Sequence, residues 1–235
     1  MLLFYQSEMR NAALSTKNTL NEEDSRHCIK VLRKTIGDKI HVVDGVGGMF
    51  ECEITKAHEK KCELRVLTIE KEFQKKDFYL HIAIAPTKNA DRIEYFIEKC
   101  VEIGIDEITL IQTKHSERKH QKTERLEKIA ISAMKQSLKA YLPKINDLTN
   151  FENVIKNVKS ENKFIAHLTD DSKPLKSLIE AQKDFFLMIG PEGDFSKDEI
   201  LIAQNAGFQV VTLGNSRLRT ETAGVVACTI INSFA

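Results

Sequence analysis

The stretch LGNSRLRTETAGVVA, residues 213–227, sets two arginines, Arg217 and Arg219, ahead of an apolar run that reads as a helix from Ala223. A helix start carries partial positive charge and favours anions. Glu221 follows that rule and Arg219 opposes it. A guanidinium held there suits something negative that comes to meet it, either developing charge or a phosphate. The plainer alternative is an ion pair with Glu221 or Glu192 that orders the loop. Two more loops in the last third have the character of ligand loops. One is GPEGDF at 190–195, with two glycines that let a backbone approach a ligand closely. The other follows KFIAHL at 163–168.

Other chemistries find no support in the spacing. No G-x-x-x-x-G-K-[ST] occurs, and GVGG at 45–48 lacks the rest of a dinucleotide fingerprint, so it reads as a hairpin loop. No H-E-x-x-H or paired Cys/His spacing suggests zinc, so no metal is expected. Nothing resembles G-x-S-x-G. Of the seven histidines, His27 and His167 stand closest to the motifs of interest, although a lone histidine is more often structural.

Basic residues cluster locally at 114–125 (KHSERKHQKTER), at 26–34, and at Lys135, Lys139 and Lys144. In the second group Arg26, Lys30 and Arg33 are expected on one helix face. Each group alone reads as a solvated face. Converging in space, they would make a phosphate track. Tryptophan is absent, so base-stacking platforms are not evident.

The elements that must position these loops change character near residue 75. Before it, KIHVVDG, MFECEITKA and KCELRVLTI alternate as strands, with DGVGG as a hairpin loop. Residues 21–34 read as a helix capped by Asn21. After a charged stretch at 71–77, strands and helices alternate. FYLHIAIAP, EITLIQT, KFIAHLT, DFFLMIG and FQVVTLG read as strands. In the first helix after the boundary, Ile93, Phe96, Ile97, Cys100 and Val101 fall at helical spacing and Gly104 suits its end. KTERLEKIAISAMKQSLKAY reads as a long helix that Pro143 stops, and Ser196 with Glu199 matches a capping box. This alternation implies a mostly parallel sheet with helices on both faces, and ligands beyond the carboxyl ends of its strands.

Composition sets wider bounds. The chain has 235 residues with 42% hydrophobic content, enough for one or two domains. Lys plus Arg is 35 and Asp plus Glu 34, so net charge neither announces nor excludes a nucleic-acid partner. Five cysteines, at 28, 52, 62, 100 and 228, include no C-x-x-C and read as reduced thiols of a cytoplasmic protein. The longest apolar runs, such as FFLMI at 185–189, are too short to span a bilayer.

LIGPEGDFSKDE followed by LGNSRLRTETA resembles the C-terminal signature of SPOUT-class RNA methyltransferases, and more narrowly the RsmE family. HCIKVLR and GDKIHVVDG resemble that family's PUA-like domain, and KCVEIGI, HSERK and KQSLKAYLP fit its middle. The resemblance implies an α/β SPOUT-type fold, with a trefoil-knotted, mostly parallel sheet at 74–235 and a β-rich PUA-like RNA-binding domain at 1–73. It implies S-adenosylmethionine as methyl donor, N3 of one uridine in small-subunit (16S) ribosomal RNA as acceptor, a homodimer, and neither DNA nor membrane as partner.

Carried over by position, the resemblance assigns the cofactor to Ala166, His167 and Leu168, to Gly190, Pro191, Glu192 and Gly193, to Leu213, Gly214 and Leu218, and to Thr220, Thr222 and Ala223. Arg219 and Glu221 fall beside the reacting centre as the catalytic candidates, Arg219 to face the negative charge that develops as N3 loses its proton, or the adjacent phosphate, and Glu221 to receive that proton or to hold Arg219 in place. Arg26, Lys30, Arg33, Arg118 and Lys139 are assigned to RNA. The chain departs from the family at Asp194, where a second glycine is usual, at Ser216 and Arg217, where arginine then isoleucine is usual, and at Lys139, where arginine is frequent. Two other readings stand beside this one: a SPOUT enzyme acting on transfer or large-subunit RNA, and a non-catalytic RNA-binding assembly factor.

Overall fold

In the computed structural model, which describes residues 2–169, 172–181 and 183–235, internal contacts divide the chain into two units. The first comprises Met1–Lys75 with Met134–Leu142, and the second Lys76–Ala133 with Pro143–Ala235.

The first unit contains β1 (Leu3–Tyr5), β2 (Lys17–Thr19), α1 (Glu22–Arg26), β3 (Lys39–Val43), β4 (Met49–Lys56) and β5 (Glu63–Glu70). They form a five-stranded sheet in the order β1-β3-β4-β5-β2. Only β1 and β3 pair in parallel. The core is the alternate set that the strand pattern turns inward, Ile40, Val42, Cys52, Ile54, Leu64 and Val66, closed by Phe4, Met9 and Cys28.

The helix expected over 21–34 is shorter. Asn21 caps it by accepting from the Asp24 amide at 2.8 Å, but after Arg26 the chain widens to a π-helical turn over His27–Val31. Arg33 then turns left-handed at φ 55°. Ile29 and Val31 are weak helix formers, and burial of Cys28 holds the turn in place. Arg26, Lys30 and Arg33 therefore do not share one helix face.

The second unit runs β6 (Leu80–Ile84), α2 (Ala90–Ile103), β7 (Glu107–Gln112), α3 (Glu124–Gln136), β8 (Lys144–Asn150), α4 (Phe151–Asn157), β9 (Asn162–Ala166), β10 (Lys173–Pro174), β11 (Phe185–Ile189), α5 (Lys197–Asn205), β12 (Gln209–Thr212) and α6 (Thr220–Phe234). The last residues of α3 group with the first unit. The seven strands order as β10-β12-β9-β11-β6-β7-β8, and every pairing is parallel. β11 is central and buried along its whole length, which its unbroken apolar run FFLMI requires. It lies between β6 and β9, although both precede it in the chain.

Helices cover both faces. Phe151 and Val154 of α4 and Ala203 of α5 pack with Ala83, Ile165, Phe186 and Met188. On the other face α6 lies against α2, β6 and β11. Gly224 permits that approach, because a Cβ there would lie 2.4 Å from the Phe96 ring.

α2 buries Ile93, Phe96, Ile97, Cys100 and Val101, and Gly104 closes it. α3 stops at Gln136, short of Pro143. Leu138 turns left-handed, and Tyr141 is drawn into extended pairing with Gly45 and Val46 within the first unit. That pairing ends the helix before the proline can.

Candidate active site

Three loops leave the carboxyl ends of the adjacent strands β12, β9 and β11, where a parallel sheet presents ligands. Together they enclose a cavity of about 550 Å³. Its walls include Ala166, His167 and Leu168 after β9, Gly190, Pro191 and Glu192 after β11, and Leu213, Gly214, Leu218 and Arg219 after β12. Thr220 and Ala223 of α6 complete this side. Of the residues assigned from the sequence to the cofactor or the reacting centre, Gly193, Glu221 and Thr222 do not line it.

Local bonding fixes the loops. The Thr220 hydroxyl donates to the Gly190 carbonyl at 3.1 Å, tying the first turn of α6 to the loop after β11. Ser196 and Glu199 form a full capping box at the start of α5. His115 Nδ1 lies 3.1 Å from the Gly193 carbonyl and 3.0 Å from that of Asp194, so Gly193 supports the loop from outside the cavity. Gly214 sits at φ 132°, which a side chain would strain, and its amide and carbonyl both bond the Thr212 hydroxyl.

The departure at Asp194 acquires a reason. Its φ is 61°, the left-handed region that a glycine adopts freely and aspartate tolerates better than most residues. Its carboxylate steadies that conformation. Oδ1 accepts from the Phe195 amide at 2.7 Å, and Oδ2 lies 2.7 Å from His167 Nδ1. Asp194, Ser216 and Arg217, all departures from the family pattern, line the cavity.

Arg219 is the N-cap residue of α6, extended at φ −71° and ψ 155°. Its side chain is exposed, and neither Arg217 nor Arg219 is in an ion pair or side-chain hydrogen bond among the described residues. Both line the cavity with guanidiniums left for a ligand. The alternative in which Arg219 pairs with Glu221 or Glu192 is therefore not what the structure holds.

Arg92 of α2 occupies that place. Its Nε is 3.9 Å from Glu221 Oε1, its Nη1 is 3.8 Å from Glu192 Oε1, and it lines the cavity. Glu221 is buried behind it, and Glu221 Oε2 has no hydrogen-bond partner. Sequence reasoning missed Arg92. The available signal was a basic residue in the first turn of α2, just after the Asn89 cap, where the helix dipole disfavours a cation as it does at Arg219.

The expected RNA-contacting residues are less concentrated. Arg26 and Arg33 are exposed on the first unit. Lys30 pairs with Glu59 at 2.9 Å, and Arg118 donates to Gln121 Oε1 at 2.6 Å. Lys139 follows the left-handed Leu138 in the first unit. Lys135 pairs with Asp24 at 3.2 Å and Lys144 with Glu107 at 3.1 Å, so the basic clusters of the sequence are partly neutralised locally.

With this geometry in hand, likeness to known proteins becomes informative. A family model for the RNA methyltransferase domain matches residues 74–232, and one for the RNA methyltransferase PUA domain matches residues 20–67. The ribosomal RNA small subunit methyltransferase E of Buchnera aphidicola is 31% identical over 223 residues, 92% of this chain and 87% of that protein. The chain belongs to the RsmE family of small-subunit ribosomal RNA methyltransferases.

Solved structures agree. A probable rRNA-methyltransferase from Porphyromonas gingivalis superposes with a TM-score of 0.92 at 40% identity, over 100% of this chain and 98% of that one. The ribosomal RNA small subunit methyltransferase E of Neisseria gonorrhoeae, bound to S-adenosyl methionine, superposes with a TM-score of 0.89 at 26% identity, over 99% and 97%. The fold expected of an RsmE protein, a PUA-like β domain with a SPOUT-type α/β domain, is the fold found, with a sheet that is wholly rather than mostly parallel.

Proposed function

We propose that this RsmE-family chain transfers a methyl group from S-adenosylmethionine to N3 of one uridine in small-subunit (16S) ribosomal RNA, acting as a homodimer in the cytoplasm. The observation that carries the reading is the convergence of the GPEGD, LGNSRLRT and AHL loops on one cavity. Bound cofactor in the Neisseria gonorrhoeae relative supports it.

The cavity fits such a cofactor. Its volume is that of a small-molecule site, and Ile189, Pro191, Val211, Leu213 and Leu218 give it apolar walls suited to an adenine. The cofactor supplies a methyl group made electrophilic by the positive sulfonium that carries it. The protein must align donor and acceptor and help N3 lose its proton. Arg219, on the cavity wall and in no ion pair among the described residues, faces the negative charge that then spreads over the two flanking carbonyl oxygens.

The reading extends to the whole chain. Residues 1–73 are assigned to RNA binding, with Arg26, Lys30, Arg33, Arg118 and Lys139 as candidate contacts, and residues 74–235 to the methyltransferase. The insertion of β11 between β6 and β9 supports a trefoil knot in that domain. No helix among the described residues is long and apolar enough to cross a membrane.

The test is incubation with labelled methyl donor and, separately, small subunits, large subunits and transfer RNA. Label confined to small subunits is the expected result. Label in either of the other RNAs moves the target, and cofactor binding without label in any of them favours an assembly factor.

A further inference from the structure

A second recess, of about 290 Å³, lies beside the cavity and is lined by Lys88, Asn89, Arg92, Glu117 and Glu192. Arg92 and Glu192 line both spaces. Methyl transfer needs donor and acceptor in contact, so the reacting atoms belong at such a junction. The recess is formally neutral, with two cations set against two carboxylates: Lys88 Nζ is 3.1 Å from Glu117 and Arg92 Nη1 is 3.8 Å from Glu192. Internally balanced charge suits a neutral polar group carrying both donors and acceptors, such as a uracil, better than it suits a phosphate. Asn89 turns its Oδ1 to the Asp91 amide at 3.0 Å, which leaves its Nδ2 for a carbonyl.

The choice among carboxylates is narrow. Glu221 lines neither space and stands behind Arg92. Glu117 lines the recess alone and is occupied by Lys88. Asp194 lines the cavity alone, with its two oxygens taken by the Phe195 amide and His167. Among the described residues Glu192 is the one carboxylate on both spaces. Its Oε1 accepts from the Lys88 amide at 3.4 Å, and its Oε2 makes no hydrogen bond among the described residues.

We propose that the second recess holds the acceptor pyrimidine and that Glu192 is the catalytic base, with Arg92 facing the anion from the recess beside Arg219 on the cavity side, and Glu221 positioning Arg92. The inference rests on the methyltransferase reading above. In the step, the N3–H bond breaks and the proton passes to the Glu192 carboxylate. The N3 lone pair forms the new bond to the methyl carbon, and the sulfur keeps the electron pair of the broken C–S bond. The charged or titratable groups around Glu192 are Arg92, Lys88 and Glu117 in the recess, with Arg217, Arg219, Asp194 and His167 in the cavity.

The test compares wild type, Glu192→Gln and Glu221→Gln with small subunits as substrate. Glu192→Gln is expected to lower the single-turnover rate by about 100-fold or more, with cofactor Kd within about threefold of wild type. Its residual rate should climb about tenfold per pH unit, as hydroxide replaces the lost base, while the wild-type rate climbs less. A readout free of turnover is binding without the methyl donor. Wild type should prefer unmethylated over N3-methylated subunits, and Glu192→Gln, whose neutral amide oxygen accepts from N3–H more weakly than a carboxylate, should show a smaller preference. Glu221→Gln should keep the preference and the wild-type pH response. If Glu192→Gln retains the wild-type pH response and the preference, or if Glu221→Gln loses them instead, the assignment is overturned. If wild type itself methylates no small subunits, the underlying function is what has failed.

Discussion

Arg92 Nε stands 3.9 Å from Glu221 Oε1, and Glu221 Oε2 is buried with no hydrogen-bond partner. The arginine thus screens a buried carboxylate from the cavity it lines, and Arg219, two residues before Glu221 at the helix cap, is left without an ion pair among the described residues. The cation that opposes the helix dipole is held for a ligand, and the anion that obeys the dipole is held by a different cation.

Because Arg219 is in no ion pair or side-chain hydrogen bond among the described residues, removing it should leave the fold intact and affect chemistry. Arg219→Ala is expected to slow methyl transfer by about 100-fold, as loss of one preorganised charge-stabilising group does. Cofactor Kd should change by less than about threefold. Single-turnover kinetics beside calorimetric titration separates the two effects, and an unchanged rate would remove Arg219 from the mechanism.

Asp194 combines a left-handed backbone with two side-chain contacts. Asp194→Ala keeps the strain and loses both contacts, whereas Asp194→Gly loses the contacts but relieves the strain. Thermal denaturation should show the alanine variant less stable by about 1–3 kcal/mol and the glycine variant closer to wild type. The reverse order would mean that the backbone conformation is not what selects this residue.

At the opposite end of the sheet, His81 Nε2 lies 2.7 Å from Thr109 Oγ1, and Nδ1 is 3.7 Å from Glu107. Burial pushes its pKa down to about 4, and the Glu107 charge only partly opposes the shift. Between its ordinary value of 6.5 and about 4 the unfolded chain takes up a proton that the folded one refuses. Stability is therefore full above that window and falls as the pH drops through it, by roughly 2–3 kcal/mol. Urea denaturation at stepped pH should show this fall in wild type and a shallower one in His81→Gln. Equal slopes would exclude His81 as the source.

Gly224 lets α6 lie on α2. In Gly224→Ala the new Cβ would fall 2.4 Å from the Phe96 ring, an overpacking expected to cost about 1–3 kcal/mol. Phe96→Leu in the same chain should recover part of the loss. A melting temperature unchanged by the first substitution would show that the helices separate without penalty.

The ligand loops were legible because their glycines and charged residues carry local signals that tertiary context did not override, as at Gly214 and in the Ser196–Glu199 capping box. Arg92 was not legible, since its importance comes from α2 packing beside α6, a long-range contact that no spacing within α2 reports. β8, KINDLTN, lacks an apolar alternation, and β10 is only Lys173–Pro174, so neither offered a strand pattern. The early end of α3 is set by Tyr141 pairing with Gly45 and Val46, again a partner remote in sequence. Asp194 was visible only as a departure from a family glycine, and its φ of 61° supplies the physical meaning.

The most direct measurement is mass-spectrometric mapping of the nucleoside labelled when purified protein acts on small subunits from cells lacking this activity. The account predicts label on N3 of a single uridine in the small-subunit RNA, with about one hundredth as much in an Arg219→Ala reaction stopped at the same early time. Label on a carbon, a ribose oxygen or another base would contradict it.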